Sequence, residues 1–179
     1  KKLPDLAVDS INLWEEKLPQ FDGDRANAKL AVITKQDHSA SQKVAWDEIT
    51  AIANRFRAAD RYLFAVPMWN GSIPYRLKQY IDIIHQPGLL FGLNQRTGYF
   101  GLLLNRKATL VYTSGAFSQA MPSPEFGTDH HSTYMRAWLN QAGITDIEEI
   151  RHQPTLLTSD SEGDFVKAKA AAATAGANG

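Results

Sequence analysis

"RYLFAVPMWNGSIPYRLKQYID", residues 61–82, decides how this chain is read. Residues 62–66 are an almost wholly apolar run. Such a run suits a strand covered on both faces, as in a parallel sheet, because a strand with one wet face would alternate. Pro67 ends the run, and Pro74 opens the next element. A proline in the first helical turn gives up no hydrogen bond there. From about Ile73 a helix is predicted, with Leu77, Tyr80, Ile81 and Ile84 on one face and Gly88 at its end.

The flanks repeat the pattern. "SQKVAWDEITAIANRFRAAD", residues 41–60, sets Val44, Ile49, Ile52, Ala53 and Phe56 on one helical stripe. "KATLVYT", 107–113, is a second buried strand; "HSTYMRAWLNQAG", 131–143, is a helix closed by Gly143; "DIEEIRHQP", 146–154, is a last short strand. "LLFGLNQRTGYFGLLLNRK", 89–107, holds two glycine-punctuated apolar pieces, either a β-hairpin or an excursion loop. Upstream, "DLAVDSINLW", 5–14, reads as a strand, 15–29 as mostly loop, and 28–40 as a loose helix. Strands alternating with helices mean an α/β fold on a parallel sheet. Residues 1–165 read as a single domain, and 166–179 as a helix fraying into a low-complexity tail.

Composition narrows the function classes. The 179 residues include 19 basic and 19 acidic side chains, a formal net charge of +0. A nucleic-acid binder should carry a basic field, and a small electron carrier an acidic docking surface. Cysteine is absent, which excludes disulfides, thiolate metal sites and cysteine nucleophiles. No apolar stretch approaches the ~20 residues of a membrane span, and "KKLPDLAVDS" lacks a signal-peptide core. The expectation is a cytoplasmic protein with neither nucleic-acid nor membrane partners.

In open parallel sheets, ligands bind beyond the carboxyl ends of the strands. Two loops leave such ends here, "PMWNGS" at 67–72 and "TSGAFSQ" at 113–119. A flat heteroaromatic ring needs an apolar or aromatic platform, which Met68 and Trp69 can supply. Its ring nitrogens and carbonyls need backbone N–H groups and an amide such as that of Asn70, while Gly71 permits close approach. The plainer reading of 67–72 is an ordinary strand-to-helix turn, and 113–116 alone also suits a tight turn.

These residues resemble the FMN-dependent NADH azoreductases and quinone reductases. In that family a Pro-Met-Tyr-Asn-Phe stretch is followed by Ile-Pro and a helix carrying Leu-Lys and an aspartate. Pro67, Met68, Asn70, Ile73, Pro74, Leu77, Lys78 and Asp82 match; Trp69 stands for the tyrosine and Gly71 for the phenylalanine. "GLLF" at 88–91, "LVYTSGA" at 110–116 and "YMRAWLNQAGITDIEEIR" at 134–151 resemble later family segments, with Ala116 a departure from the usual second glycine. The resemblance spans roughly residues 5–155.

It implies a flavodoxin-like three-layer sandwich with a central parallel sheet. It implies FMN as cofactor, NADH or NADPH as co-substrate, and two-electron reduction of a quinone or azo compound by a ping-pong scheme. The flavin would carry the chemistry, so no catalytic side chain is expected. Pro67, Met68, Trp69, Asn70 and Gly71 would bed the ring, and Thr113, Ser114, Gly115 and Ala116 would bond its pyrimidine edge. Phe91, Phe117 and His131 would meet a small aromatic acceptor, and a homodimer is expected. Family members begin with an apolar strand and a Ser/Gly-rich phosphate loop; residues 1–30 contain neither, and both are expected to precede residue 1.

Other chemistries find little support. His130 and His131 are adjacent, and neighbouring residues rarely reach one ion, so no metal is expected. Ser114, His131 and Asp129 could be drawn as a triad, but no nucleophile-elbow pattern surrounds Ser114. A flavodoxin-type electron carrier and a flavin-free interaction protein of the same fold are the alternatives.

Overall fold

The computed structural model describes residues 6–177. Its elements run α1 (Gly23–Thr34), α2 (Ala40–Arg57), β1 (Arg61–Pro67), α3 (Tyr75–Ile84), β2 (Phe91–Asn94), β3 (Gly98–Gly101), β4 (Lys107–Thr113), α4 (Ser132–Ala142), β5 (Asp146–His152) and α5 (Ser161–Ala177). Strands β1, β4 and β5 form a parallel sheet in the order β1-β4-β5, and β2 and β3 form a separate antiparallel hairpin.

Register separates the two faces, because residues directly paired across parallel strands point the same way. Tyr62, Phe64 and Val66 of β1 pair with Ala108, Leu110 and Tyr112 of β4, which pair in turn with Ile147, Glu149 and Arg151 of β5. This face meets Ile49, Ala53 and Phe56 of α2, Leu77, Ile81 and Ile84 of α3, and Met135, Trp138 and Leu139 of α4 in one core. On the opposite face α5 packs against β5, where Ile150 is buried and the Phe165 ring lies 5.6 Å from His152. Helices, sheet and helix give three layers, as the sequence implies.

The second face of β1 corrects one expectation. Leu63 is 75% exposed and Ala65 is also open, so among the described residues β1 is covered on one side only. Helix α5 sits over β5, two strands away. An apolar run tells how greasy a strand is, not which neighbour reaches it.

Other departures have local causes. Residues 6–14 form no strand. They are tied down by side chains instead: Arg55 donates to both Asp9 carboxylate oxygens (2.8 and 2.7 Å) and to Glu16 (2.9 Å), and Arg76 donates to the Leu13 carbonyl (2.7 Å). Asp5, where the expected strand would begin, lies outside the described residues. Helix α1 starts inside the expected loop, because Asp22 accepts the Arg25 N–H and caps it. In the α2 stripe Val44 is exposed, whereas Ile49, Ala53 and Phe56 are buried. Helix α5 runs to Ala177 and buries Ala175. Alanine has the highest helix propensity, and docking on β5 adds to it.

The 89–107 segment resolves to the hairpin. It leaves the end of α3 and is pinned to the end of α4, where the Leu103 N–H donates to the Ala142 carbonyl (2.9 Å). The contact is backbone on backbone: a β-carbon on Gly101 would lie 2.1 Å from the Gly143 nitrogen.

Candidate functional site

Strand β1 ends in a proline, yet its ladder continues for one residue, with the Met68 N–H donating to the Thr113 carbonyl at 2.8 Å. That bond joins the two candidate loops at their roots. Beyond it Trp69 and Ser72 exchange backbone bonds in both directions (2.8 and 3.0 Å), closing a tight turn over Asn70 and Gly71. Both central residues have positive φ, +49° and +81°. This is the geometry of a type I′ turn, for which Asn-Gly is the preferred pair. The dipeptide is therefore the sequence signal that fixes this loop, and it explains why glycine rather than phenylalanine stands at 71. Ile73 is then buried and Pro74 starts α3.

The second loop is held by its carbonyls. Thr155 donates its N–H and its hydroxyl to the Ser114 carbonyl (2.9 and 3.1 Å), and the Leu156 N–H donates to the Gly115 carbonyl (2.9 Å). Among the described residues, the N–H groups of Asn70, Gly71, Ser114, Gly115 and Ala116 have no partner. Two adjoining strand ends thus present a set of uncharged backbone donors. A flat ring edged with carbonyl oxygens and nitrogens matches that donor set.

Phosphate is another matter. The helix N-termini that could hold an oxyanion are already used: Asp22 caps α1, a Ser39–Gln42 capping box closes α2, Asp129 accepts the first N–H groups of α4, and Asp160 accepts the Gly163 N–H in α5. Helix α3 begins behind Pro74, whose nitrogen has no hydrogen to donate. Among the described residues the unpartnered donors suit a flat flavin ring, whereas each helix N-terminus is capped or proline-led rather than open to a phosphate.

Trp69 is 45% exposed and joins Trp14 and Tyr75 in an aromatic cluster, with centroids 5.4–6.3 Å apart. The cluster borders a cavity of about 470 Å³ that Trp69, Asn70, Tyr75 and Tyr134 help to line, but none of residues 113–116 does. Lys78 and Asp82 form an ion pair at 2.5 Å in its wall. Burial pushes the Tyr134 hydroxyl up to about 12.

The three residues expected at the acceptor come from different parts of the fold. Phe91 opens the hairpin after the far end of α3, against His85 (4.6 Å) and Tyr99 (5.5 Å). A ten-residue helix separates it from 67–71, a length of about 15 Å. Phe117 follows the second loop, and its carbonyl accepts the Ser114 hydroxyl. His131 is fully buried. Its Nε2 donates to the Val66 carbonyl at 2.8 Å, and the Tyr112 ring lies edge-on at 4.6 Å. Burial lowers its pKa, against the opposing pull of the Val66 bond and Asp129, and so favours the neutral ring. With Ser114 bonded to Phe117 and His131 to Val66, these residues form no triad.

The family described as "Flavodoxin-like fold" matches residues 1–175. An FMN-dependent NADH:quinone oxidoreductase of Ruegeria pomeroyi is 50% identical over 166 residues, covering 93% of this chain and 81% of that protein. One from Desulfotalea psychrophila is 41% identical over 154 residues, 86% and 72% of the two chains. A crystal structure of an azoreductase from Bacillus anthracis superposes with a TM-score of 0.80 at 24% identity, over 92% of this chain and 79% of that one, a likeness of fold. The parallel sheet with helices on both faces, the paired loops at its strand ends and these matches together assign the chain to the flavodoxin-like family of FMN-dependent NADH:quinone oxidoreductases.

Proposed function

We propose that this chain is an FMN-dependent oxidoreductase that reduces quinones or azo compounds by two electrons at the expense of NADH or NADPH. The observation that carries the reading is the Met68 N–H bond to the Thr113 carbonyl, which sets the 67–71 and 113–116 loops side by side, with the N–H groups of Asn70, Gly71, Ser114, Gly115 and Ala116 unpartnered among the described residues. Pro67, Met68, Trp69, Asn70 and Gly71 bed the ring, and Thr113, Ser114, Gly115 and Ala116 bond its edge. FMN, when bound, would supply the hydride chemistry between nicotinamide and acceptor, in a ping-pong order. The chain's own groups orient the ring and keep neutral donors at it. No protein acid is required.

A homodimer is part of the proposal. Leu93, Tyr99, Phe100 and Leu104 stand exposed on and beside the hairpin, an apolar patch of the kind that marks an interface. A cytoplasmic setting is inferred from the nicotinamide donor. Among the described residues no helix is long and apolar enough to cross a membrane.

The test is spectroscopic and kinetic. Protein incubated with FMN and desalted should retain the absorption of oxidised flavin, and should oxidise NADH steadily with menadione. Initial rates against both substrates should give parallel double-reciprocal lines. Protein that stays colourless and leaves NADH untouched refutes the proposal.

A further inference from the structure

We infer that residues 128–131 form a clasp on the ring-binding turn and that His131 is its positioning residue, an inference that rests on reading 67–71 as the bed of the ring. The clasp grips the turn at both ends. On the entering side the His131 ring donates to the Val66 carbonyl at 2.8 Å. On the leaving side the His130 backbone N–H donates to the Gly71 carbonyl at 3.2 Å. Between them the Thr128 carbonyl lies 3.5 Å from where a Gly71 β-carbon would stand.

The clasp is itself anchored. Asp129 accepts the His131 N–H (3.2 Å), the Ser132 N–H (2.7 Å) and the Ser132 hydroxyl (2.6 Å), so the first turn of α4 and the clasp share one carboxylate. Arg151 of β5 approaches Asp129 at 4.0 Å and lies over the Tyr112 ring, the ring that meets His131 edge-on. The position of the turn is therefore set by the N-terminus of α4 and not by β1 alone.

Packing does not account for the histidine. A fully buried polar ring costs free energy unless it is bonded, and its Nδ1 has no partner among the described residues. A leucine would fill the space without that cost. What a leucine cannot do is donate to the Val66 carbonyl.

The experiment compares His131→Leu with His131→Gln, whose amide nitrogen can stand in for Nε2. Native-state hydrogen exchange is read in the FMN-free protein at the Met68 amide, bonded to the Thr113 carbonyl, and at the Trp69 and Ser72 amides, bonded across the turn. FMN titration by fluorescence quenching is read in parallel. Loss of one hydrogen bond should raise exchange at those three amides, and the FMN dissociation constant, by about 2- to 12-fold. The glutamine variant should restore both. Amides of Val111 and Ile150 should keep their protection, whereas a merely structural loss would raise all of them together. Should the leucine variant fail to fold, Asp129→Asn, which loosens the anchor, carries the same comparison.

Unchanged exchange at 68–72, or a glutamine variant as loose as the leucine one, overturns the clasp. If the exchange contrast appears but the unmutated protein takes up no FMN, the clasp stands and the proposed function falls.

Discussion

Gly71→Val probes the turn on which the site depends. Gly71 has φ +81° and its neighbour Asn70 has φ +49°. A β-carbon at 71 would lie 3.5 Å from the Thr128 carbonyl, an ordinary contact, so steric overlap adds little. The cost is conformational. Holding an L-residue in the left-handed region costs about 1–2 kcal/mol, and β-branching makes it worse. A loss of about 2 kcal/mol is expected, lowering Tm by roughly 4–8 °C for a chain of this size. Gly71→Asn should lose less than about 1 kcal/mol, because asparagine tolerates this region. Urea unfolding followed by circular dichroism gives both values, and FMN titration of the same samples reports whether the turn still presents its donors. A valine variant as stable as the parent, or an asparagine variant that loses as much as valine, would refute the left-handed turn.

Gly101→Ala should be costlier than either. Its methyl group would fall 2.1–2.4 Å from backbone atoms of Ala142 and Gly143, so the hairpin must part from α4, at about 2–4 kcal/mol in the same urea assay. Met135→Ala empties space at a fully buried position between α4 and the sheet and should cost about 2–5 kcal/mol without changing the m-value. Stability should also fall in mild acid. Burial lowers the pKa of His131 and of His85 below their ordinary 6.5 in the folded protein, so the unfolded chain binds more protons there. That contribution is intact above pH 6.5 and is lost as pH falls through the folded values. His131→Gln should flatten the decline of the urea midpoint between about pH 7.5 and 5, the range in which histidine titrates, and an unaltered slope would count against the buried neutral ring.

Much of the architecture could be read from local pattern. Tyr62–Val66 and 107–113 are apolar enough to be read as strands, and Gly143 stops α4 because its φ of 100° suits no other residue well. Asn70-Gly71 names its own turn type, since few other pairs accept two positive φ angles. Residues 6–14 misled because their partial alternation is that of a strand. Long-range bonds from Arg55 and Arg76 hold them as coil, and no local pattern encodes a partner so distant along the chain.

What the sequence determined by itself, then, was the alternation β1-α3 and β4-α4-β5, the two loops at strand ends and the neutral, cysteine-free character of the chain. Hydrophobic period and turn chemistry are properties of neighbours along the chain. Only the tertiary structure decided that the two loops touch, that Leu63 faces outward, that Phe91 stands apart from the turn and that His131 serves the Val66 carbonyl. Each of these depends on which segments meet across the sheet, and register and docking are settled by packing rather than by local preference.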